Sequence, residues 1–273
     1  MLGKDLTAHL SGRHEVTGCD LEVDITSPEA VDRFVAELRP EAIIHCAAWT
    51  DVDGAEANEA AALAVNGVGS GNVAAAAAAV GASLVVVSTD YVFDGSSTGD
   101  YAEDAPPSPI GAYGRTKLSG EEAALLAHPA GVRIARTAWL YGRGGRNFVD
   151  TMLRVSTDRD VVDVVDDQIG CPTWTCDLAP ALEALIKQPP GVYHTAGAGS
   201  VTWAGFAEAI FAEAGVRCEV RRIRTAQLAR PAPRPARSVL TVTKAHAPRL
   251  RPWREALCDY IRSADEAAEV RTG

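Results

Sequence analysis

The feature that most restricts the fold of this chain is the continuous apolar run SLVVVS at residues 83–88. A strand with one face in water alternates apolar and polar residues, whereas a strand covered on both faces is apolar throughout. Strands of the second kind occur mainly in parallel sheets that carry helices on both sides. The run therefore predicts an inner strand of a parallel sheet.

Helical and strand patterns alternate around this run. The predicted strands are HEVTGCD (14–20), EAIIHCAA (41–48) and GVRIAR (131–136). The predicted helices are 2–10 with its stripe Leu2, Leu6 and Leu10, 27–39 with Ser27 as N-cap and Pro28 in its first turn, a long Ala-rich helix ending near Val80, and 113–127. This alternation predicts an α/β fold with a doubly wound, right-handed parallel sheet.

From about Trp139 onward the pattern is less regular. Helices are predicted near residues 146–157, 176–187, 203–214 and 253–268, with short strands and the segment RPAPRPARS (230–238) between them. We predict a first domain over residues 1–140. Residues 141–273 are predicted to form mainly a smaller second lobe over the carboxyl edge of the sheet, with some segments returning to the first domain.

Charge and hydropathy argue against two kinds of partner. The net charge is −10, whereas nucleic-acid and anionic-membrane binders cluster lysine and arginine. The most apolar stretch, residues 73–88, is interrupted by Gly81 and Ser83 and is shorter than the roughly 20 residues that span a bilayer. With no export signal in view, we expect a cytoplasmic protein with no nucleic-acid or membrane partner.

The six cysteines lack the CxxC spacing of zinc sites. Several lie in predicted strands. We therefore expect buried free thiols in a reducing compartment and no metal site.

The sharpest chemical signal is YGRTK, from Tyr113 to Lys117. Positions i and i+4 share one face of a helix, so the phenol and the ammonium can enter one site. A cation within about 4 to 6 Å lowers the pKa of a phenol, which is ordinarily about 10. Tyr113 then becomes a proton donor near neutrality, although YxxxK also occurs by chance on helices.

The segment STDYVFDG (88–95) begins where the buried strand ends. Thr89 would meet the carboxyl edge of the sheet and could hydrogen-bond the substrate oxygen that Tyr113 protonates. The alternative is a hydroxyl that only caps the backbone at the strand end. Hydroxyl, phenol and ammonium together would deliver a proton to a carbonyl.

Several segments together resemble one family. They are STDYVFDG (88–95), YAEDAPPSPIGAYGRTKLSGE (101–121), RTAWLYG (136–142), NFVDTML (147–153), DDQIGCPT (166–173) and VYHTAG (192–197). In this order they resemble the dTDP-4-dehydrorhamnose reductases, extended short-chain dehydrogenase/reductases that make dTDP-6-deoxy-L-sugars. The resemblance covers nearly the whole chain. It implies a parallel Rossmann sheet that binds a dinucleotide and a smaller C-terminal lobe that binds the substrate.

The resemblance also implies a reaction. Hydride passes from NADPH or NADH to the C4 ketone of a dTDP-linked 4-keto-6-deoxy sugar, and Tyr113 protonates the new alkoxide. Lys117 lowers the Tyr113 pKa and hydrogen-bonds the nicotinamide ribose, and Thr89 orients the ketone. Tyr113 and Lys117 thus serve both the cofactor and the chemistry.

The resemblance places other residues on the sugar nucleotide. Asp90 and Trp139 are expected to contact it, although Trp139 could instead be a core residue beneath the second lobe. Arg234 and Arg237 are candidate partners for the pyrophosphate. Solvated loop charges are the alternative for both arginines.

For the dinucleotide, the resemblance places Asp20 at the end of the second strand and Asp24 and Ile25 beside the adenine. The segment CAAWT (46–50), with Ala47, Ala48 and Trp49, lies along the cofactor. An acidic residue at the Asp20 position holds a ribose hydroxyl in many dinucleotide sites. Members of this family use either cofactor, so the choice between NADH and NADPH stays open.

The opening MLGKDL resembles the end of a glycine-rich fingerprint, with Gly3 as its last glycine. Met1, Leu2 and Gly3 are therefore expected at the cofactor. The family pattern has a strand and earlier glycines before this point, about a dozen or more residues. We expect a longer native chain, and we expect a short form to be inactive.

Two other functions share these motifs. A nucleotide-sugar epimerase or dehydratase also carries YxxxK, and a non-catalytic regulatory subunit of this fold binds the cofactor and modulates a partner enzyme. The sequence leaves the exact sugar and the oligomeric state open, with a homodimer among the alternatives.

Overall fold

The computed structural model describes the backbone of residues 1–272 and the side chains of residues 1–263. Its helices are α1 (Leu2–Leu10), α2 (Pro28–Leu38), α3 (Val52–Ala57), α4 (Glu59–Leu63), α5 (Ser70–Val80), α6 (Ala112–Ala127), α7 (Phe148–Val155), α8 (Thr175–Leu185), α9 (Trp203–Glu213) and α10 (Trp253–Thr272). Its strands are β1 (Ala42–His45), β2 (Ser83–Thr89), β3 (Val132–Thr137), β4 (Leu140–Tyr141), β5 (Val161–Val165), β6 (Ile169–Gly170), β7 (Thr173–Trp174), β8 (Gly191–His194), β9 (Val201–Thr202) and β10 (Glu219–Ile223). These elements agree closely with the helices and the inner strands predicted from sequence.

The central sheet has the strand order β1–β2–β3–β8, and all of its pairs are parallel. Neighbouring residues of β2 face opposite sides of it. Leu84 and Val86 pack with α2, α5 and α6, whereas Val85 packs with α1 and α8. The prediction that this run is covered on both faces, in a doubly wound sheet, is confirmed.

The predicted strand at residues 14–20 is wrong for this structure. The segment is mostly exposed and has no strand geometry. A strand needs a neighbour to pair its backbone N–H and C=O groups, and β1 is the edge of the sheet in the described residues. Asp20 therefore lies in an exposed bend and not at a strand end.

The Ala-rich region is less regular than the single predicted helix. It consists of α3, α4, a π-helical turn over Ala64–Gly69, and α5. The run Glu59–Val80 is long and apolar enough for a membrane span, a test that buried core helices also pass. In this fold α5 packs between α2 and α6.

The second half of the chain builds its own apolar cluster. Tyr141, Phe206, Ile210, Leu257 and Tyr260 are buried there among α7, α9, α10 and β5. Strand β8 joins the central sheet, and α8 covers one of its faces. The domain boundary at residue 140 stays a prediction.

Helix α1 docks on the sheet through its predicted stripe. Leu2 and Leu6 are buried against Leu178 and Leu182 of α8, and Leu10 packs at the margin of the same cluster. The N-terminus of the helix thereby lies at a fixed place beside the sheet.

The contact between α6 and the π-helical turn generates the first prediction. A Cβ atom on Gly120 would lie 2.1 Å from the backbone oxygen of Asn66, which cannot move without shifting the turn. We expect Gly120→Ala to lower the free energy of unfolding by about 1–3 kcal/mol, as overpacking does. Urea denaturation measures this. Gly12→Ala is the matched control, because a Cβ there meets nothing within 4 Å; equal stability of the two variants would contradict the prediction.

Candidate active site

Thr89 is the last residue of β2, at the carboxyl edge of the sheet. Its Oγ1 accepts a hydrogen bond from the backbone N–H of Tyr91, at 3.2 Å, and so caps the short 3-10 turn Asp90–Val92. The same hydroxyl donates to Oδ1 of Asp90, at 3.1 Å. The capping role considered for Thr89 is confirmed, and the residue also belongs to a polar network.

Tyr113 lies in the first turn of α6, opposite the end of β2. Its phenol lies near the Thr89 hydroxyl, and its ring meets the edge of Tyr91 with centroids 5.6 Å apart. Gly114 allows this approach, because a Cβ there would lie 2.1 Å from the carbonyl oxygen of Tyr91. The structure thus brings Thr89 and Tyr113 together, as predicted.

The expected lowering of the Tyr113 pKa is wrong for this structure. Burial raises the pKa of Tyr113 to about 12, the nearby Thr89 hydroxyl opposes that rise, and the charge of Asp90 adds to it. Desolvation therefore outweighs the attraction to a cation that the YxxxK spacing implied. The phenol is neutral and carries its proton throughout the physiological range.

Lys117 is 4% exposed, and its Nζ donates to the carbonyl oxygen of Val87 at 2.8 Å. Burial lowers the pKa of Lys117 to about 8, and the charge of Glu121 opposes this change. The ammonium is therefore still the main form at neutral pH.

Sequence reasoning missed Glu121, which lies one turn beyond Lys117 on α6. Its carboxylate forms a salt bridge with Arg136 of β3, at 2.6 Å, and accepts a hydrogen bond from the hydroxyl group of Ser88 in β2. Both ionic side chains are at most 5% exposed. The i, i+4 spacing that singled out Tyr113 and Lys117 would also have indicated Lys117 and Glu121.

Asp90 is 1% exposed and lies directly after Thr89. Its second oxygen, Oδ2, accepts a hydrogen bond from the hydroxyl group of Ser238, the last residue of the Pro/Arg-rich segment. Burial raises the pKa of Asp90 to about 7, and the hydrogen bonds from Ser238 and Thr89 limit that rise. Ser238 is a second residue that the sequence analysis missed.

Trp139 has a left-handed backbone, with φ of 46°, which is rare for a residue other than glycine. Its indole stacks on Trp203 with ring centroids 3.5 Å apart and an interplanar angle of 5°. Gly170 also lies against the indole, because a Cβ there would be 2.4 Å from it. The ring is half-buried, so the packing role considered for Trp139 is confirmed and one part of the residue remains accessible.

The two arginines predicted for the pyrophosphate are paired within the chain. Arg234 is 14% exposed and forms a salt bridge with Asp53 at the start of α3, at 2.9 Å. Arg237 pairs with Asp100. The alternative of solvated loop charges is therefore wrong for Arg234, which fastens the Pro/Arg-rich segment to α3.

Three of the expected adenosine contacts lie in one turn region. Asp24 is exposed, and its Oδ1 accepts hydrogen bonds from the backbone and the hydroxyl of Thr26. Ile25 packs against Gly69, and Asp20 lies in the exposed bend described above. Nothing in this geometry tests their contact with a cofactor, so that remains a prediction.

Ala47, Ala48 and Trp49 follow β1 at the carboxyl edge of the sheet. The side chain of Asn66 fixes this segment, because its Oδ1 accepts from the Trp49 N–H at 2.8 Å and its Nδ2 donates to the Trp49 carbonyl at 3.2 Å. This pair of bonds fixes the backbone at Trp49.

Met1, Leu2 and Gly3 form the N-terminal end of α1. The Leu2 side chain is buried in the core, and the Met1 side chain lies against Gly145. A Cβ on Gly3 would meet nothing within 4 Å, so the space beside the helix end is open. The first N–H groups of a helix have no intrahelical acceptor and favour an anionic ligand.

All six cysteines are free thiols, as predicted, but only Cys171 is fully buried. Cys19 and Cys176 are exposed, which corrects the expectation of buried thiols. Within the described part of the chain, no group of three or more His, Cys, Asp or Glu side chains could hold a metal ion.

A doubly wound parallel sheet that brings a threonine, a tyrosine and a lysine to its carboxyl edge defines the extended short-chain dehydrogenase/reductase class. Its helix N-terminus and sheet edge fit a dinucleotide. The chain belongs to the family described as the RmlD substrate binding domain, whose model matches residues 1–266. The family resemblance found in the sequence is confirmed.

Known relatives agree with this membership. The chain is 47% identical to a dTDP-4-dehydrorhamnose reductase from Streptomyces griseus, over 95% of this chain and 89% of the relative. It is 50% identical to a dTDP-4-keto-6-deoxy-D-glucose reductase from Streptomyces niveus, over 77% and 74%. A crystal structure of dTDP-4-dehydrorhamnose reductase from Bacillus anthracis in complex with NADP is similar, with a TM-score of 0.93, 38% identity, and 96% and 95% of the two chains covered.

The buried salt bridge generates the second prediction. Glu121→Gln would leave the Arg136 guanidinium buried without its counter-charge, so we expect a loss of about 3–5 kcal/mol in the free energy of unfolding. Urea denaturation measures it, and Glu122→Gln, a change at the exposed neighbouring residue, is the control. Identical midpoints for the two variants would show that the salt bridge does not stabilise the fold.

Proposed function

We propose that this protein reduces the C4 ketone of a dTDP-linked 4-keto-6-deoxy-hexose with NADPH or NADH, forming dTDP-L-rhamnose or a related deoxysugar. The observation that carries this proposal is the convergence of Thr89, Tyr113 and Lys117 at one edge of the sheet. The names of the relatives support it, since two of them reduce dTDP-linked keto sugars. NADP in the similar crystal structure supports a nicotinamide cofactor.

The residues present fit such a cofactor. The N-terminal end of α1 at Met1, Leu2 and Gly3 has open space and free N–H groups for a pyrophosphate. Asp20, Asp24 and Ile25 would face the adenosine, and Ala47, Ala48 and Trp49 would line the path from there to the sheet edge. When bound, the reduced nicotinamide supplies the hydride.

The chain's own residues then handle the proton. Tyr113 carries its proton at neutral pH, because burial raises its pKa to about 12, and it gives that proton to the developing alkoxide. Lys117, held on the Val87 carbonyl, places a positive charge beside the transferring group and the nicotinamide ribose. Thr89 orients the ketone from the end of β2.

The sugar nucleotide would lie between the sheet edge and the C-terminal lobe. Trp139, stacked on Trp203 and in contact with Gly170, is half-buried and offers its accessible part to the sugar nucleotide. Asp90 and Arg234 lie on the sheet side, with Arg234 held by Asp53. We propose that residues 1–140 bind mainly the dinucleotide and residues 141–273 mainly the substrate.

We also propose a cytoplasmic location without nucleic-acid or membrane partners, and a homodimer as the state to test first. The free thiols suit a reducing compartment, and the net charge of −10 disfavours polyanions.

The third prediction concerns the proton donor. Tyr113→Phe should lower the rate of ketone reduction by about 10²- to 10⁴-fold, since a positioned general acid contributes that much. The assay follows nicotinamide absorbance with dTDP-4-dehydrorhamnose and either NADPH or NADH. Tyr193→Phe is the control, because that hydroxyl donates to the Pro189 carbonyl, which lies just before the amino end of β8. An unchanged rate would remove Tyr113 from the mechanism.

Binding of the cofactor without any turnover by the wild-type protein would favour the regulatory alternative.

The fourth prediction concerns the contact between Gly170 and the Trp139 indole. A Cβ at residue 170 must displace the indole, so we expect Gly170→Ala to raise KM for the sugar nucleotide on the order of tenfold. KM for NADPH should not change, because the atoms nearest to a Cβ at residue 170 belong to Trp139. Gly99→Ala, where the nearest atom is 4.0 Å away, is the control. A rise in both KM values would indicate general disruption instead.

A further inference from the structure

The Thr89 hydroxyl has a single proton, which limits the hydrogen bonds that it can donate to a substrate. A hydroxyl has one proton and two lone pairs. One lone pair accepts the Tyr91 N–H, and the proton points to Oδ1 of Asp90. As long as the carboxylate holds this proton, Thr89 has no donor left for a carbonyl oxygen.

Each oxygen of the Asp90 carboxyl group has a buried hydroxyl group as its hydrogen-bond partner. Thr89 donates to one oxygen and Ser238 to the other, and all three side chains are at most 6% exposed. A protonated Asp90 could donate from Oδ1 to the second lone pair of Thr89. The bond between the two side chains would persist with its direction reversed, and the Thr89 proton would be free.

We propose that Asp90 controls the direction of the Thr89 proton: ionised Asp90 withdraws it from the active site, and protonated Asp90 releases it toward the substrate carbonyl. In this role Asp90 is a positioning residue that acts through Thr89, and Ser238 adjusts the balance between the two states. The inference rests on the proposed ketone reduction and deepens it.

The reaction remains balanced in this scheme. The ketone carbon gains the hydride and the ketone oxygen gains the Tyr113 proton, so one C–H and one O–H bond form as the C=O π bond breaks. The reduced nicotinamide is oxidised, and a solvent proton restores the phenol. The Thr89 proton is never transferred; it only hydrogen-bonds the oxygen as negative charge develops on it.

Asp90 is the group of this cluster that titrates near neutrality. The titratable groups that face it are Tyr91 from the following turn, Tyr113 from α6 and Cys171 from the segment after β6, and Arg234 acts on Tyr91. Burial raises the pKa of Tyr91, and it raises the pKa values of Tyr113 and Cys171 to about 12. Asp90, with its pKa of about 7, therefore changes state while these neighbours do not.

The sign of the pH effect follows. Above pH 7 Asp90 is ionised, so kcat/KM for ketone reduction should fall there by up to roughly 10²-fold, the effect of losing one donor to a developing oxyanion. Lys117 adds a second fall near pH 8 as its ammonium deprotonates. The wild-type profile should show both steps.

The test compares profiles of kcat/KM between pH 5.5 and 9.5, a range chosen to span roughly the ordinary working pH of such groups. Asp90→Asn keeps a neutral donor on Thr89 at every pH, so the step near pH 7 should vanish and only the Lys117 step should remain. Ser238→Ala removes a bond to the ionised carboxylate and should move the lower step up by about one pH unit. This second variant removes one hydroxyl only and tests the inference without replacing Asp90.

Asp158→Asn and Ser156→Ala are the controls, since both residues lie at the end of α7 and should give the wild-type profile. Thermal unfolding at each pH shows whether a variant is folded where its rate is measured. A step near pH 7 that survives in Asp90→Asn, or that does not move in Ser238→Ala, overturns the inference while the reductase remains. A wild-type protein that reduces no dTDP-linked keto sugar at any pH overturns the proposed function as well.

Discussion

The attachment of helix α6 to strand β2 is the constraint on which the rest of the site depends. Two consecutive residues of β2 hold it: the Val87 carbonyl accepts from Lys117, and the Ser88 hydroxyl donates to Glu121. Thr89 is the next residue along the strand, so its distance from α6 is set by these bonds. Because Arg136 neutralises Glu121 from β3, the attachment joins three neighbouring elements and not a single pair.

Burial, more than pairing of opposite charges, sets the acid and base properties of this site. Desolvation is the largest influence on Tyr113, Lys117 and Asp90, and in each it favours the neutral form. Hydrogen bonds oppose this effect in Asp90 and the charge of Glu121 opposes it in Lys117, whereas the charge of Asp90 adds to it in Tyr113. A largely buried site suits a reaction in which negative charge develops briefly on a carbonyl oxygen, because fixed donors act more strongly there than in water.

Much of this arrangement could be predicted from sequence, as the residues themselves show. The apolar run 83–88 correctly predicted the inner strand, and Ser27 followed by Pro28 correctly predicted the start of α2, because both signals are local. The i, i+4 rule placed Tyr113 and Lys117 on one face. Ser238 could not be found this way, since its bond to Asp90 spans a long stretch of chain and no local spacing indicates it. The strand at 14–20 failed for a related reason: pairing depends on a neighbour, and a local pattern does not supply one.

Two of the free thiols, Cys19 and Cys176, are exposed, and their surroundings influence how fast they react with oxidants. Partial burial and the charges of Glu22 and Asp20 raise the pKa of Cys19, and partial burial together with Asp5 and Asp177 raises that of Cys176 to about 11. Thiolate is the form that reacts with peroxides and electrophiles. Both sulfurs are therefore mainly in the thiol form at physiological pH, which slows their reaction with oxidants and electrophiles.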